Sequence, residues 1–259
     1  MELQDKIIVI TGAASGIGRA LAKRFKLAGA KQIVCVDLNE AGAKATADEL
    51  GCVAMKADVA NEADVARVIE DTERGVGPID LFCSNAGVAL GENLESPNGE
   101  WQTSWDVNVM SHIYSARHLV PRMAARGDGY LLITASAAGL LNQIGGAAYG
   151  VTKHAAVGFG EWVAIHHGHQ GIKVSMLCPQ AVRTAMTVDD TSTAAAAASG
   201  DGLMEPEDLA EDVVEGLRNE SFLILPHPEV LEYMRRKTGD YDRWISGMGK
   251  LYRRLAGVK

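Results

Sequence analysis

Three side chains in the middle of the chain are of types, and at spacings, that suit acid–base chemistry on an alcohol. Tyr149 and Lys153 are four residues apart in a segment of helical period, so both side chains project from one face of a helix and can meet. Ser136 precedes the tyrosine by 13 residues and follows an apolar run, at the carboxyl end of a predicted strand. A phenol is protonated at neutral pH, with a reference pKa of about 10, and a neighbouring ammonium favours its phenolate. Tyr149 and Lys153 alone could be an ordinary surface pair, but together with Ser136 they favour proton exchange between Tyr149 and a hydroxyl group that Ser136 holds.

A glycine loop near the start of the chain predicts the binding site of a dinucleotide. A β-branched strand leads into Gly12, Gly16 and Gly18, and a helix follows; Ser15 and Ile17 lie between the glycines. Glycine lets the chain approach a pyrophosphate at the amino end of that helix. The spacing is Gly-x-x-x-Gly-x-Gly rather than Gly-x-Gly-x-x-Gly, and a plain tight turn is the alternative. The strand before the loop, the helix after it and an acid at the end of the next strand favour the nucleotide.

That acid is Asp37, which lies 19 residues beyond Gly18 and ends the second apolar run. A carboxylate at this position accepts hydrogen bonds from the hydroxyls of an adenosine ribose and repels a 2′-phosphate. Neither Ser15 nor Leu38 offers a positive charge that could hold such a phosphate. Asp37 could also cap the next helix, which is compatible with binding a ribose. The sequence therefore predicts NAD rather than NADP.

The elements that must position these residues alternate between strands and helices. Strands are predicted at residues 6–11, 32–37, 52–57, 81–84, 130–135, 173–178 and 222–225. Helices are predicted at 17–28, 41–50, 62–74, 100–126, 147–169 and 206–218. Apolar runs that alternate with amphipathic segments are typical of a parallel sheet that is buried on both faces. We expect an α/β fold, a Rossmann-type doubly wound parallel β-sheet of about seven strands flanked by helices, in one domain spanning 1–259.

Two segments depart from this alternation of strands and helices. Residues near 187–204 are rich in Ala, Ser, Thr and Asp, and we expect them to form a mobile lid over the substrate. The C-terminal tail, 228–259, has helical period and carries Tyr233, Tyr241, Trp244 and Tyr252 among basic residues. Basic aromatic helices can contact nucleic acid, but on an acidic chain we favour a helix that packs through its aromatic side chains.

The bulk properties exclude several classes of protein. The formal net charge is −8 and the isoelectric point about 5.4, which excludes nucleic acid as the main partner. The four cysteines form no C-x-x-C pair, and the histidines His166, His167 and His169 suit a helix end better than a metal, so we predict no metal site. The sequence has no apolar run of membrane-spanning length and too few residues before the first strand for a signal peptide. We expect a cytoplasmic protein without a membrane partner.

Several motifs in order resemble the short-chain dehydrogenase/reductase family, in its compact single-domain branch, over about the first 225 residues. The matching pieces are the loop 11–18, Asp58-Val59, Asn85-Ala86-Gly87, Asn108, Ser136, the run from Tyr149 to Lys153, and Pro179 followed by Thr184. One position departs from the family pattern: Gln180 follows Pro179, where the family usually has glycine. The Gln180 amide would then lie near the nicotinamide or the substrate.

The resemblance implies a site as well as a fold. It implies a catalytic tetrad of Asn108, Ser136, Tyr149 and Lys153, in which Lys153 holds the nicotinamide ribose and Asn108 orders water for the return of the proton. It implies cofactor contacts from Gly12, Ser15, Gly16, Ile17, Gly18, Asp37, Leu38, Asp58, Val59, Asn85, Ala86, Gly87, Tyr149, Lys153, Pro179, Val182 and Thr184. Asp58 and Val59 would flank the adenine. The family commonly forms tetramers, so we expect a homotetramer or a homodimer.

The substrate is predicted from the residues that follow the cofactor motifs. The candidate pocket residues are Val88, Ala89, Leu90, Ala138, Leu140, Leu141, Ile144 and Met186, together with the lid. The lid offers Asp189, Asp190 and Asp201 but no Lys or Arg, so we expect a neutral, largely apolar secondary alcohol or its ketone as substrate. The alternatives are a 3-oxoacyl reductase or 3-hydroxyacyl dehydrogenase, or a catalytically silent protein that senses NAD.

Overall fold

Seven parallel strands form one sheet in the part of the chain that the structure, a computed structural model, describes: residues 1–187 and 192–258. The strands are β1 (Ile7–Thr11), β2 (Gln32–Asp37), β3 (Val53–Lys56), β4 (Leu81–Ser84), β5 (Gly129–Thr134), β6 (Ile172–Leu177) and β7 (Leu223–Ile224). Their order across the sheet is β3-β2-β1-β4-β5-β6-β7. This confirms the predicted doubly wound α/β fold, and all seven strands lie where they were predicted, although β7 is two residues rather than four.

The helices connect these strands and cover both faces of the sheet. They are α1 (Gly16–Leu27), α2 (Glu40–Leu50), α3 (Glu62–Gly75), α4 (Asn98–Trp105), α5 (Ser111–Arg126), α6 (Ala138–Leu141), α7 (Ala147–His167), α8 (Thr193–Ala198), α9 (Pro206–Arg218), α10 (Glu229–Gly239) and α11 (Tyr241–Ala256). The C-terminal tail is therefore two helices, which meet at Asp240; the carboxylate of this residue caps α11 by accepting a hydrogen bond from the Arg243 amide.

The predicted continuous helix over 100–126 is wrong in one respect. It starts at Asn98 and is interrupted by a π-helical segment, Asp106–Met110, between α4 and α5. The hydrophobic period does not reveal this change, because one wider turn alters the pattern by a single residue. The predicted helix over 147–169 likewise ends at His167 and continues as a short 3₁₀ turn, Gly168–Gln170.

The core lies in two layers because β1 is buried on both faces. Ile8 and Ile10 pack toward α1 and α9, among Leu21 and Phe25, whereas Val9 faces the layer that contains α3, α5 and α7. Successive side chains of a strand point to opposite faces, so an apolar residue is needed at every position of such a strand. The chain order reverses between β1 and β4, and the crevice at the carboxyl ends of these two strands is where ligands bind in sheets of this kind.

Candidate active site

The glycine loop packs so closely that side chains cannot be added to it. Gly12 has a φ of +71° and Gly16 a φ of +51°, a region that favours glycine. A Cβ atom on Gly18 would lie 2.1 Å from the Gly12 carbonyl oxygen, and one on Gly16 would lie 3.0 Å from the Thr184 side chain. Helix α1 begins at Gly16, so its first backbone N–H groups have no partner within the helix and can meet a pyrophosphate.

Asp37 ends β2 beside this loop and already organises it. Its Oδ2 accepts a hydrogen bond from the Ala14 amide at 3.0 Å, and its Oδ1 accepts one from the Asn39 amide at 2.9 Å. Each carboxylate oxygen keeps a further lone pair that a ribose hydroxyl can use. The neighbouring Leu38 is 62% exposed, so its side chain is free to cover one face of a flat ligand.

Asn85 fixes the loop after β4 against the glycine loop. Its side-chain amide donates to the Thr11 carbonyl at 3.0 Å, and its Oδ1 accepts from the Thr134 hydroxyl at 3.0 Å. The amide of Ala86 donates to the Thr11 hydroxyl at 3.1 Å. A Cβ atom on Gly87 would lie 3.4 Å from the Lys153 Nζ, so this loop runs directly beside the lysine.

The pair Asp58 and Val59 follows β3, on the far side of Asp37 from the glycine loop. The Asp58 carboxylate accepts a hydrogen bond from the Ala60 amide, and its own amide donates to Asp64. Val59 is half-buried. These bonds fix the turn after β3 at the carboxyl edge of the sheet, which is the edge where Asp37 ends β2.

Asn108 lies in the π-helical segment and is fully buried. Its Oδ1 accepts from the Val88 amide at 2.9 Å, and its Nδ2 donates to the Val88 carbonyl at 2.9 Å and to the Thr152 hydroxyl at 3.1 Å. Both amide protons are therefore used in joining the loop after β4 to α7. The side chain acts as a clamp between these two elements.

The structure brings Ser136, Tyr149 and Lys153 together. Lys153 is 3% exposed, and its ammonium donates to the Thr134 carbonyl at 3.0 Å and lies 5.5 Å from the centre of the Tyr149 ring. Ser136 follows β5, and its hydroxyl accepts a hydrogen bond from the Ala138 amide at 3.1 Å. The first turn of α7 and the end of β5 thus place a phenol, an ammonium and a hydroxyl in one cluster, as their spacing predicts.

The segment after β6 packs over the glycine loop and Ser136. The carbonyl of Pro179 accepts hydrogen bonds from the Ala137 amide at 2.8 Å and from the Ser136 hydroxyl at 3.4 Å. Val182 is buried and pairs with Met204 in a single parallel bridge. Thr184 reaches Gly16, so these residues lie against the expected cofactor site.

Gln180 joins this segment to the predicted lid and to the residue before the tail, through partners that sequence reasoning missed. Its main-chain amide donates to His227 at 3.2 Å, and its side-chain amide donates to the Asp201 carboxylate at 3.0 Å. The same carboxylate accepts from the Tyr233 hydroxyl at 3.0 Å. The Gln180 Oε1 is buried and, among the described residues, has no hydrogen-bond partner, so a bound ligand could donate to it.

A cavity of about 1000 Å³ opens beside Ser136 and Tyr149. Six of the predicted pocket residues line it: Ala89, Leu90, Ala138, Leu141, Ile144 and Met186. Val88 and Leu140 do not, because Val88 is held against Asn108 and Leu140 packs among the side chains of the tail. Asp201 from the predicted lid does line the cavity, whereas Asp189 and Asp190 lie outside the described residues.

The far wall of the cavity comes from the predicted lid, which lines the cavity as expected, and from the tail, whose part in the cavity the sequence did not predict. Helix α8 presents its alanines, and the tail contributes Tyr233, Trp244, Met248, Leu251 and Leu255 together with two arginines, Arg236 and Arg254. Tyr233 and Trp244 also pack against Ala137 and Leu141, as expected for the aromatic residues of the tail, whereas Tyr241 and Tyr252 are about half exposed.

Comparison with known proteins decides the family. A family model described as "short chain dehydrogenase" matches residues 6–195. The chain belongs to the short-chain dehydrogenase family. It is therefore an oxidoreductase, in a family that uses nicotinamide cofactors.

Two relatives of this chain are named as dehydrogenases of hydroxylated compounds. The chain is 35% identical over 254 residues to 1-deoxy-11-beta-hydroxypentalenate dehydrogenase of Streptomyces exfoliatus, covering 95% of this chain and 92% of that protein. It is 32% identical over 239 residues to epidermal retinol dehydrogenase 2 of Homo sapiens, covering 88% and 76%. A short-chain dehydrogenase/reductase of Burkholderia phymatum, solved in complex with NAD, is 28% identical and superposes with a TM-score of 0.84, covering 93% and 96% of the two chains.

Burial shifts the pKa values of both central groups in this short-chain dehydrogenase. Removal from water lowers the pKa of Lys153 to about 8. Burial also raises the pKa of Tyr149, an effect that the neighbouring Ser136 hydroxyl opposes. Without a cofactor the phenol is thus protonated at neutral pH, and a positive charge beside it would favour the phenolate.

We expect Lys153→Met to stabilise the cofactor-free enzyme at neutral pH. The drop in the pKa of Lys153 from 10.5 to about 8 corresponds to a cost of roughly 3 kcal/mol for burying its ammonium. Methionine has a similar length without the charge, so we expect the free energy of unfolding to rise by about 1–3 kcal/mol. Between pH 8 and 10.5 Lys153 is protonated in the unfolded wild-type chain but neutral in the folded protein. The gain in stability from Lys153→Met is therefore complete below pH 8 and is lost as the pH rises to 10.5. Urea unfolding at pH 7 and pH 10 measures the change in the free energy of unfolding, and substitution of the exposed Lys250 by Met is the control. Equal stability of wild type and Lys153→Met at pH 7 would contradict this prediction.

Two of the three histidines near the end of α7 have contacts within the protein, and three of the four cysteines are buried. His166 stacks on Trp162 with ring centres 4.3 Å apart, and His167 contacts Gln170. Cys35, Cys83 and Cys178 are buried thiols. Within 1–187 and 192–258, no three His, Cys, Asp or Glu residues are arranged to hold a metal ion, and no helix is long and apolar enough to cross a membrane.

Proposed function

We propose that this enzyme is an NAD-dependent oxidoreductase that interconverts a largely apolar secondary alcohol and its ketone. The observation that carries the proposal is the cluster of Ser136, Tyr149 and Lys153 on the path from the glycine loop to an apolar cavity. A base, a hydrogen-bond donor and a substrate-sized cavity are the parts that the oxidation of an alcohol requires.

The residues that would hold NAD are those at the carboxyl edge of the sheet. The tight glycine loop and the free amides of α1 suit a pyrophosphate, and Asp37 suits the hydroxyls of the adenosine ribose. We assign the adenine to the loop at Asp58 and Val59, and the nicotinamide end to Asn85, Ala86, Gly87, Pro179, Val182 and Thr184. NAD bound there would supply the acceptor for the hydride of the alcohol carbon.

The protein supplies the acid–base chemistry. Ser136 donates a hydrogen bond to the substrate oxygen, and Tyr149 takes the hydroxyl proton as the hydride leaves. The Lys153 ammonium stabilises the phenolate that must form first, because an adjacent positive charge lowers the pKa of a phenol. Asn108 contributes by holding the loop after β4 in place. In the opposite direction Tyr149 returns its proton to the carbonyl oxygen.

The substrate class follows from the wall around the reacting groups. Ala89, Leu90, Ala138, Leu141 and Ile144 surround the space next to Ser136 and Tyr149, which suits a neutral, apolar region around the reacting carbon. The dehydrogenases of hydroxypentalenate and retinol named above are consistent with such substrates. The cytoplasmic location and the tetramer or dimer stay predictions.

Absorbance of the reduced nicotinamide tests this function directly. Bulky secondary alcohols are offered to the enzyme with NAD and with NADP in parallel, beside a 3-hydroxyacyl coenzyme A thioester. We expect faster turnover with NAD and with the neutral alcohols. Faster turnover of the thioester than of every alcohol would favour the 3-hydroxyacyl dehydrogenase alternative, and NAD binding without turnover of any compound would favour the sensing protein.

A further inference from the structure

One face of α11 is apolar and turned toward the cavity instead of the core. Trp244, Met248, Leu251 and Leu255 recur at helical spacing, and all four line the cavity. None of them is fully buried within the protein, although α11 is strongly amphipathic. A ligand with an apolar body would be stabilised against such a face, because its binding removes the apolar side chains of the face from water.

The length of the apolar face of α11 indicates the length of a ligand that would cover it. The start of α11 faces the same cavity as the reacting groups, since Trp244 lines the cavity with Ser136 and Tyr149 and packs against the cluster of Ala137, Leu141 and Val230. Arg254 also lines the cavity, ten residues further along the helix. An α-helix rises 1.5 Å per residue, which places Arg254 about 15 Å along the axis from Trp244.

Most other charged groups on the cavity wall already have partners. Arg236 pairs with Glu232 at 2.9 Å, and Asp201 accepts from Gln180 and Tyr233. Glu100 accepts a hydrogen bond from the Gly91 amide. Arg254 has no carboxylate within ion-pair distance among residues 1–187 and 192–258, and the Glu92 carboxylate of the wall has neither an ion pair nor a hydrogen bond there.

We propose that Arg254 binds an anionic group of the substrate, so that the substrate is a large lipophilic hydroxy acid. Its secondary hydroxyl lies at Tyr149, its hydrocarbon body lies along α11, and its carboxylate meets the guanidinium. This inference rests on the proposed function. The sequence-based expectation of a neutral substrate depended on a lid without Lys or Arg. The tail supplies a cation instead, because Arg254 lines the cavity at the end remote from Tyr149.

Epimeric 3-hydroxycholanoic acids and their methyl esters test the inference, since they carry a secondary hydroxyl and a carboxyl group at opposite ends of a rigid apolar body. The measured quantity is the ratio of kcat/KM for acid to kcat/KM for ester. We expect Arg254→Gln to lower this ratio about tenfold or more, because a charge-assisted hydrogen bond is lost only for the acid. Arg254→Lys should keep part of the ratio, and Glu92→Gln should raise it by removing a like charge from the wall.

Arg253→Gln is the matched control, since Arg253 is exposed, adjacent in sequence and absent from the cavity wall. The inference fails if Arg254→Gln leaves the ratio unchanged, or if Arg253→Gln lowers it as much. It also fails if neither steroid is oxidised while other neutral alcohols are, and the proposed function then stands.

Calorimetric titration of acid and ester into the enzyme saturated with NADH, to which the alcohol cannot pass a hydride, gives a second readout. Arg254-dependent binding of the acid without turnover of any alcohol would support Arg254 as the group that binds the anion, but would contradict the proposed function and with it the assignment of the acid as a substrate.

Discussion

Tyr149→Phe is expected to lower kcat for alcohol oxidation by about 10³-fold or more, near the upper end of what a positioned acid–base group contributes. The substitution removes only the hydroxyl, which is the atom that takes the proton. The ring and its contact with Lys153 remain, so the fold and the cofactor site should persist. Initial rates at saturating NAD measure the loss, and calorimetric titration with NADH should show an affinity within about tenfold of the wild type, since at most one hydrogen bond to the cofactor is lost. Tyr241→Phe on the exposed face of α11 is the matched control. Oxidation by the Tyr149 variant at more than a tenth of the wild-type rate would refute the assignment.

The pH dependence of the oxidation and reduction rates provides a second test of Tyr149 as the acid–base group. Burial raises the pKa of Tyr149 in the cofactor-free enzyme, and the positive nicotinamide with Lys153 lowers it once the complex forms. Oxidation requires the phenolate, so its rate should rise with pH through the pKa of Tyr149 and then level off. Reduction requires the phenol, so its rate should fall over the same range. The residual activity of the phenylalanine variant should lack both transitions, because the titrating group is gone.

The strands and the central cluster were predictable because their signals are local. β1 and β5 are continuous apolar runs, and a strand buried on both faces needs such a run. Lys153 follows Tyr149 by one helical turn, so their meeting depends only on α7 forming. The glycine loop likewise lies between a strand and a helix that both have strong patterns.

Other features depend on contacts that no local pattern contains. The π-helical segment around Asn108 is stabilised by bonds to Val88 and Thr152, which lie in other elements. Helices α6 and α8 span four and six residues, too short for a hydrophobic period to appear. Arg254 lies far from the glycine loop in sequence, and only the packing of the tail over the cavity brings it into the site.

The double substitution Asp37→Ser with Leu38→Arg is expected to shift the ratio of kcat/KM for NADP to that for NAD upward by about 10²–10³-fold, since it removes a repulsion and adds a charge-assisted bond. Asp37 places a carboxylate at the expected position of the adenosine ribose, where a 2′-phosphate would be repelled. Serine keeps an oxygen that can accept the Asn39 amide, as aspartate does at 2.9 Å. Arginine at the exposed position 38 places a guanidinium where it can reach the phosphate.

Leu38→Gln with Asp37→Ser is the control that separates the two effects, because glutamine has a polar side chain without the charge. It should show only the gain from lost repulsion. The NADP-to-NAD ratio of the glutamine variant should itself change little with added salt, whereas the arginine variant should lose part of its NADP preference as salt screens the phosphate. Asp37 also accepts the Ala14 amide, so its loss loosens the glycine loop and should raise KM for both cofactors. For that reason the ratio of the two specificity constants, rather than either constant alone, decides the result. A wild-type enzyme that already uses NADP as well as NAD would show that Asp37 supports the loop without selecting the cofactor.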